Sequence, residues 1–326
     1  MTVPVGVLGV GSMGRHHARV YQEIADADLV GVADVDRETA TEVAEAYDTR
    51  VLPPEELFEA ADAVSIAVPS QYHHDAGMNA LNAGVHALIE KPLASTTDEA
   101  EALVSAAERA GVTLQVGHIE RFNPAVRAVA AFADDLDLIA VDARRLGPPL
   151  DGGRGVDDGV VLDLMIHDLD IVRSLVGAPV DHVTAAGSPD GQYVTATLDF
   201  ETDVVGSLTA SRVTQRKVRE LTLTAVDCQV TVDYIDRSVR IHRRTRPEFL
   251  VNDGDLRYRS EQVVERPTVD NGEPLKKELS AFLEAVETGS EPVVSGPDGV
   301  EALSLAHRVQ SALGSAAVSE RERPSM

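Results

Sequence analysis

The chain has a single cysteine, Cys228, and no tryptophan. One cysteine excludes an intramolecular disulfide and a thiolate metal cluster, and it fits a reducing setting, so a cytoplasmic location is expected. No apolar run approaches the length needed to span a bilayer, and the N-terminus shows no positive region leading into a long apolar core. Lysine is scarce: Lys91, Lys217, Lys276 and Lys277 stand among 29 basic residues, against 54 acidic ones. The formal net charge of −25 makes nucleic acid and anionic membrane poor partners. Acid excess, scarce lysine and few aromatics resemble the composition of proteins from salt-accumulating halophiles, although an ordinary acidic enzyme would also carry such a charge.

The 326 residues leave room for two domains with buried cores. The stretch that organises the first is Val3–Leu8, an apolar strand, followed at once by Gly9, Val10, Gly11, Ser12, Met13 and Gly14 and then by a helical pattern. This is the G-x-G-x-x-G dinucleotide fingerprint. Its first glycine permits the tight turn, its second lets main chain approach a pyrophosphate, and its third lets helix and strand pack closely. The amides around Ser12 and Met13 open the helix and can donate to the anion. Asp34 ends the next apolar run, 20 residues past Gly14, where an acid can bind ribose hydroxyls. The expected cofactor is NAD; Arg37 leaves some room for NADP.

Strand-like and helix-like segments alternate up to Gly117, which predicts a doubly wound parallel sheet, a Rossmann domain over residues 1–121. Within it, Thr97 is expected to cap a helix through Ala110, with Gly111 ending it. Period-2 runs dominate beyond Gly177: Tyr193–Phe200, Val204–Val213, Leu221–Ala225, Gln229–Tyr234 and Val239–Arg243. They predict a second α/β domain on a mostly antiparallel open sheet over residues 122–318, with a frayed tail at 319–326.

Lys91 follows a predicted parallel strand at the edge that faces ligand in open α/β sheets. Glu90 and Pro92 restrict its main chain, and X-Pro bonds populate cis more readily than others. Its ammonium can bind an alcohol oxygen. Asp163 and His167 are spaced i, i+4 in an apolar stretch, read as one helix from about Val160 to Val176. A histidine there can take an alcohol proton while the carboxylate orients it. A satisfied structural pair is the competing reading. A metal held by His167 with Asp163, Asp168 or Asp170 is weaker, because no second histidine sits at ligand spacing, and none is expected. Pro69, His73 and His74 follow another strand end, either lining the cofactor cleft or starting a helix. Arg121, Asn123 and Arg154 are the expected substrate contacts. With Arg144 and Arg145, the two arginines make a possible diphosphate clamp, and Arg121 serves equally as an interdomain ion-pair partner.

These residues together resemble the glucose–fructose oxidoreductase/inositol dehydrogenase/MocA family. The resemblance rests on the glycine fingerprint, Pro69 with His73, Glu90-Lys91-Pro92 and Asp163 with His167. It extends to the closing segments Gly272-Glu273-Pro274-Leu275 with Glu278 and Phe282, and Val294-Ser295-Gly296-Pro297-Asp298-Gly299. It implies a tightly held nicotinamide cofactor, an alcohol or sugar substrate, and an open sheet that serves homo-oligomer contacts, a dimer or tetramer. Lys91, Asp163 and His167 become the catalytic trio, with Gly9, Gly11, Ser12, Met13, Gly14, Asp34, Pro69, His73, Glu90 and Lys91 on the cofactor. The motif Gly117-His118-Ile119-Glu120-Arg121-Phe122-Asn123-Pro124 is similar to the UDP-N-acetylglucosamine 3-dehydrogenase branch, which points to a UDP-N-acetylhexosamine. An inositol or free-sugar dehydrogenase is the alternative within the family, and a non-catalytic cofactor-sensing regulator the alternative outside it.

The acid excess makes a testable demand. Self-repulsion is screened by salt, so thermal unfolding measured from molar down to millimolar potassium chloride should show a falling midpoint. A midpoint that is flat or rises on dilution removes the halophilic reading.

Overall fold

The computed structural model describes residues 2–149, 159–244, 248–252, 255–259 and 262–321. The chain divides into two compact units, residues 1–122 with 272–305, and residues 123–271 with 306–326. Among the described residues no helix is long and apolar enough to cross a membrane.

The first unit is built on five parallel strands: β1 (Val3–Leu8), β2 (Ala27–Ala33), β3 (Ala63–Ile66), β4 (His86–Glu90) and β5 (Leu114–Gly117), in the order β2-β1-β3-β4-β5. Beyond β2 a single parallel bridge, Val32 to Val51, stands where a longer strand sits in fuller dinucleotide-binding sheets. The helices between the strands are α1 (Ser12–Glu23), α2 (Arg37–Ala46), α3 (Pro54–Ala60), α4 (His73–Asn82) and α5 (Thr97–Ala110). Strand order reverses between β1 and β3, and ligands of such sheets bind outside the carboxyl ends at that switch point. The cap of α5 lies one residue earlier than the sequence suggests. Thr96 accepts from the amide of Glu99, whose carboxylate reaches back to the amide of Thr96, closing a capping box.

Residues 272–305 return to this unit, a correction to the expected boundary. Helix α8 (Pro274–Thr288) buries Leu275, Leu279, Phe282 and Leu283 in the same core as Val5, Val7, Val20 and Tyr21. Ser295 bridges to Gln115 on the free edge of β5, and Val116 donates to the carbonyl of Val294 at 3.1 Å. Amphipathic α8 has to cover apolar area, and α1 offers it.

Among the described residues the main sheet of the second unit has eight strands: β6 (Leu138–Leu146), β7 (Val180–Gly187), β8 (Tyr193–Phe200), β9 (Val205–Ser211), β10 (Val218–Ala225), β11 (Cys228–Asp233), β12 (Ser238–Arg244) and, at one edge, Gln262–Glu265. Their order is edge strand-β12-β11-β10-β6-β9-β8-β7, antiparallel throughout except for β6 beside β9. A separate antiparallel hairpin pairs Glu248–Asn252 with Asp255–Arg259. Helix α6 (Pro124–Ala130) precedes the sheet and α7 (Ile166–Val176) packs on β6 and β9. Helix α9 spans Gly296–Arg321, its residues up to 305 belonging to the first unit and those from 306 to the second.

Candidate active site

In the first unit the glycine turn behaves as the fingerprint requires. Gly9 takes φ +84°, and a Cβ there would lie 2.7 Å from the amide nitrogen of Val68. A Cβ on Gly14 would lie 1.8 Å from the carbonyl oxygen of Gly9, so only glycine lets α1 start this close to β1. Gly11 differs: a Cβ there meets nothing within 4 Å. The main chain at Gly11 faces open space, room for a pyrophosphate. No side chain caps the start of α1, and no acid occupies its first turn. Ser12 is exposed and Met13 half-buried beside these amides. The turn thus fits a dinucleotide phosphate on chemistry and on shape.

Asp34 is fixed by main chain. Its Oδ2 accepts from the amide of Val10 at 2.7 Å and its Oδ1 from that of Asp36 at 2.9 Å. Each oxygen keeps lone-pair capacity for a ribose hydroxyl. Val35 beside it is fully exposed, an apolar surface at the rim that the sequence reading did not single out. Arg37 and Pro69 are also exposed.

Two residues expected on the cofactor turn inward. His73 is buried, with Nδ1 2.7 Å from the carbonyl oxygen of Pro92 and Nε2 2.9 Å from that of Val68. Both partners are acceptors, so a neutral ring satisfies one at a time; the ring ties the end of β3 to the turn after β4. Glu90 is buried as well. Its Oε1 lies 3.0 Å from Nε2 of His17, and its Oε2 accepts from the amide of Lys91 at 3.3 Å. Burial alone would raise the Glu90 carboxyl, but the hydrogen bond and charge of His17, with Lys91 and His73, outweigh it and hold the group below the usual carboxylate range. Gly117 makes the room: a Cβ there would sit 2.9 Å from the Glu90 carboxyl carbon. Lys91 is half-buried at this strand end, and the Lys91–Pro92 bond is cis.

Arg121 lies 3.6 Å from Asp298 through Nη2. Asp298 also accepts from the amide and hydroxyl of Ser295, both at 3.0 Å, closing the start of α9. The ion pair is internal to the first unit, not between domains.

In the second unit Asp163 and His167 do not share one regular helix, a second correction. Val161–Met165 forms a π-helical turn and α7 begins at Ile166, so the four-residue spacing spans the junction of two helix types. The carboxylate of Asp163 accepts from Nη2 of Arg212, a buried residue just past β9. His167 is half-buried on the first turn of α7. Behind it Asp168 is gripped by Arg145 in a buried bidentate pair, Nε to Oδ2 and Nη2 to Oδ1, both 2.8 Å. The Arg145 guanidinium carbon also lies 5.5 Å from the centroid of the Tyr234 ring.

The arginine cluster expected to clamp a diphosphate is therefore not assembled as read. Arg145 is committed to Asp168, Arg144 is an exposed strand residue, and Arg154 lies outside the described residues. Asn123, expected at the substrate, is a buried helix cap: it accepts from the amide of Ala125 at 3.1 Å and donates to the carbonyl of Tyr234 at 3.2 Å. An Asn directly before a Pro that opens a helix is a capping signature, which explains the difference. Among the described residues no three His, Cys, Asp or Glu side chains group as a metal ion would need.

The parallel sheet, its open-backed glycine turn and the held Asp34 define a dinucleotide-binding protein of the Rossmann class. The model of an oxidoreductase family with an NAD-binding Rossmann fold matches residues 3–118, and that of the GFO/IDH/MocA C-terminal domain matches residues 140–231. The chain belongs to the GFO/IDH/MocA family of dehydrogenases. It is 38% identical over 247 residues to the UDP-N-acetylglucosamine 3-dehydrogenase of Acidithiobacillus ferrooxidans, an alignment spanning 73% of this chain and 76% of that one. It is 29% identical over 326 residues to an inositol 2-dehydrogenase of Rhizobium meliloti, spanning 94% and 95%. A crystal structure of the Acidithiobacillus enzyme matches with a TM-score of 0.86 at 32% identity, covering 97% of this chain and 98% of that one.

Asp34 yields a prediction. A fixed carboxylate repels a 2′-phosphate, so NADH should bind more tightly than NADPH in fluorescence titrations. Asp34→Asn keeps an acceptor for one of the two main-chain amides and removes the charge, and should narrow the gap by about tenfold, roughly 1.4 kcal/mol. Equal affinities for the two cofactors in the wild type would refute the assignment.

Proposed function

We propose that the protein oxidises a ring hydroxyl of a nucleotide sugar, a UDP-N-acetylhexosamine, with NAD as hydride acceptor. The observation that carries the substrate is the 38% identity to a UDP-N-acetylglucosamine 3-dehydrogenase over 73% of this chain. The stretch from Gly117 to Pro124 supports the same reading.

Bound nicotinamide supplies the site that receives hydride. The chain's own groups handle the oxygen and its proton. Lys91 is suited to hold the alcohol oxygen as charge develops on it, a preorganised electrostatic role. His167 is suited to accept the hydroxyl proton, because imidazole titrates near working pH. Asp163, held by Arg212, positions the substrate or the imidazole. The proposed setting is a salt-rich cytoplasm, and the proposed form is a homo-oligomer. Its support is the family resemblance and the exposed apolar side chains Ile139, Tyr193 and Val205 on the eight-stranded sheet.

The deciding experiment follows NAD reduction across UDP-N-acetylglucosamine, myo-inositol and free sugars, with calorimetry against UDP alone. Turnover of the UDP-sugar and binding of UDP are expected. Turnover of inositol or a free sugar without UDP binding would replace the substrate. NADH binding with no turnover of any of them would favour a cofactor-sensing regulator.

The proton acceptor is tested separately. His167→Asn should lower kcat by about two to four powers of ten, the scale of general acid–base catalysis. NADH affinity should stay near wild type, since the cofactor contacts lie in the first unit. If the variant keeps the acidic limb of the wild-type pH profile, Lys91 takes the base role. Near wild-type turnover would discard the trio.

A further inference from the structure

Glu278 sits on the buried stripe of α8 with Leu275, Leu279 and Phe282. It is fully buried, and neither carboxyl oxygen makes a hydrogen bond. Among the described residues no group on the elements packed around it donates to either oxygen. From α1 come His17, whose Nε2 is engaged with Glu90, and Tyr21, whose hydroxyl meets that of Ser65 at 2.7 Å. From the end of β4 come Glu90 and Lys91. From β5 comes Gln115, whose side-chain amide donates at 3.3 Å to the main-chain oxygen of Glu278 and leaves the carboxyl alone. The turn after β5, on which α8 also packs, carries His118, Glu120 and Arg121, the last facing Asp298. His73, from α4, faces the carbonyls of Val68 and Pro92.

An ionised carboxylate without a donor, next to a second carboxylate, is strongly disfavoured in such a place. We propose that Glu278 is a proton-holding positioning residue: kept as a neutral acid, it leaves Glu90 as the one carboxylate of the buried cluster, and that carboxylate fixes His17 and the main chain of Lys91. Burial, reinforced by the charge of Glu90, pushes the Glu278 carboxyl well above its ordinary range while Glu90 goes the other way. Two neighbouring carboxyls driven apart in this manner divide into an acid and an anion.

The sign of the pH effect follows. A carboxyl raised in the folded state contributes stability that is fully present below its unfolded range and is lost as pH rises through the folded value. Alkali that ionises Glu278 places two negative charges under the Lys91 strand end. The functional consequence rests on the proposed role of Lys91, but the readouts below use no substrate, so a wrong substrate leaves the inference standing.

The test uses the full chain, wild type and Glu278→Gln. Infrared spectra at neutral pH should show the carbonyl stretch of a protonated carboxylic acid in the wild type and lose it in the variant. From neutral to alkaline pH the wild-type thermal midpoint should fall relative to that of the variant. NADH affinity, read by fluorescence, should weaken with it in the wild type and hold in the variant. A variant that keeps the band, or melting curves that stay parallel across the range, would overturn the proposal. Should Glu278→Gln fail to fold, Glu90→Gln removes the neighbouring charge and must move the titration of the same band to lower pH; an unmoved band overturns the proposal equally.

Discussion

A carboxylate taken out of water needs donors or a cation around it, and the cofactor half of this protein is arranged to meet that need at Glu90. His17 comes from the helix that follows the glycine turn, the Lys91 amide from the strand's own end, and the space from Gly117 on the neighbouring strand. One buried charge therefore couples α1 to β4 and β5. The start of the same helix offers open main chain at Gly11 that fits a dinucleotide phosphate, and the same strand end carries Lys91. Displacing the Glu90 carboxylate would disturb both, so the Glu-Lys-Pro sequence reads as one unit whose buried carboxylate anchors the main chain of Lys91.

The second unit uses arginine for the equivalent task. Arg145 grips Asp168 from β6 and Arg212 reaches Asp163 from the end of β9, so α7 and the π-turn before it are tied to two neighbouring strands. His167 stands between the two gripped carboxylates in sequence. Guanidinium suits such places because its planar fork matches a carboxylate and is weakly hydrated. Buried pairs of this kind do little for net stability, but removal of one member leaves an uncompensated charge, so they fix orientation strongly. A chain that has nearly abandoned lysine keeps one at the candidate catalytic position and does its structural pairing with arginine.

Much of the first unit was legible because its signals are local. The glycine spacing, the strand before it, the acid ending β2 and the caps all lie within short stretches whose geometry the sequence dictates. In the second unit β8 to β12 were legible from alternation, whereas β7 was not. It buries little beyond Val183, so no period-2 pattern marks it. The helix expected across Asp163 and His167 is there without a break, but its π-turn was not legible, for a comparable reason: such a turn adds one residue without altering the apolar character that predicts a helix. The return of α8 to the first unit depends on a core partner more than 200 residues away, which no local pattern carries.

His17 and Glu278 did leave a trace, and it shows what a sequence can carry about a buried site. His17 occupies the stripe Gly14, His17, Ala18, Tyr21, and Glu278 the stripe Leu275, Glu278, Leu279, Phe282, both at i, i+3, i+4, i+7. A titratable side chain on an apolar stripe must be buried, and a buried one must be paired or neutral. That much follows from periodicity alone. The partner's identity does not, because β4 and β5 lie between those two helices in sequence and only the folded sheet brings Glu90 within reach of both. Read this way, the polar residues that interrupt an apolar pattern are the informative ones: they announce that a compensating group exists somewhere, and the fold decides which. Asp168 and Asp170 in the apolar run before Gly177 obey the same rule, and the structure supplies Arg145 for the first.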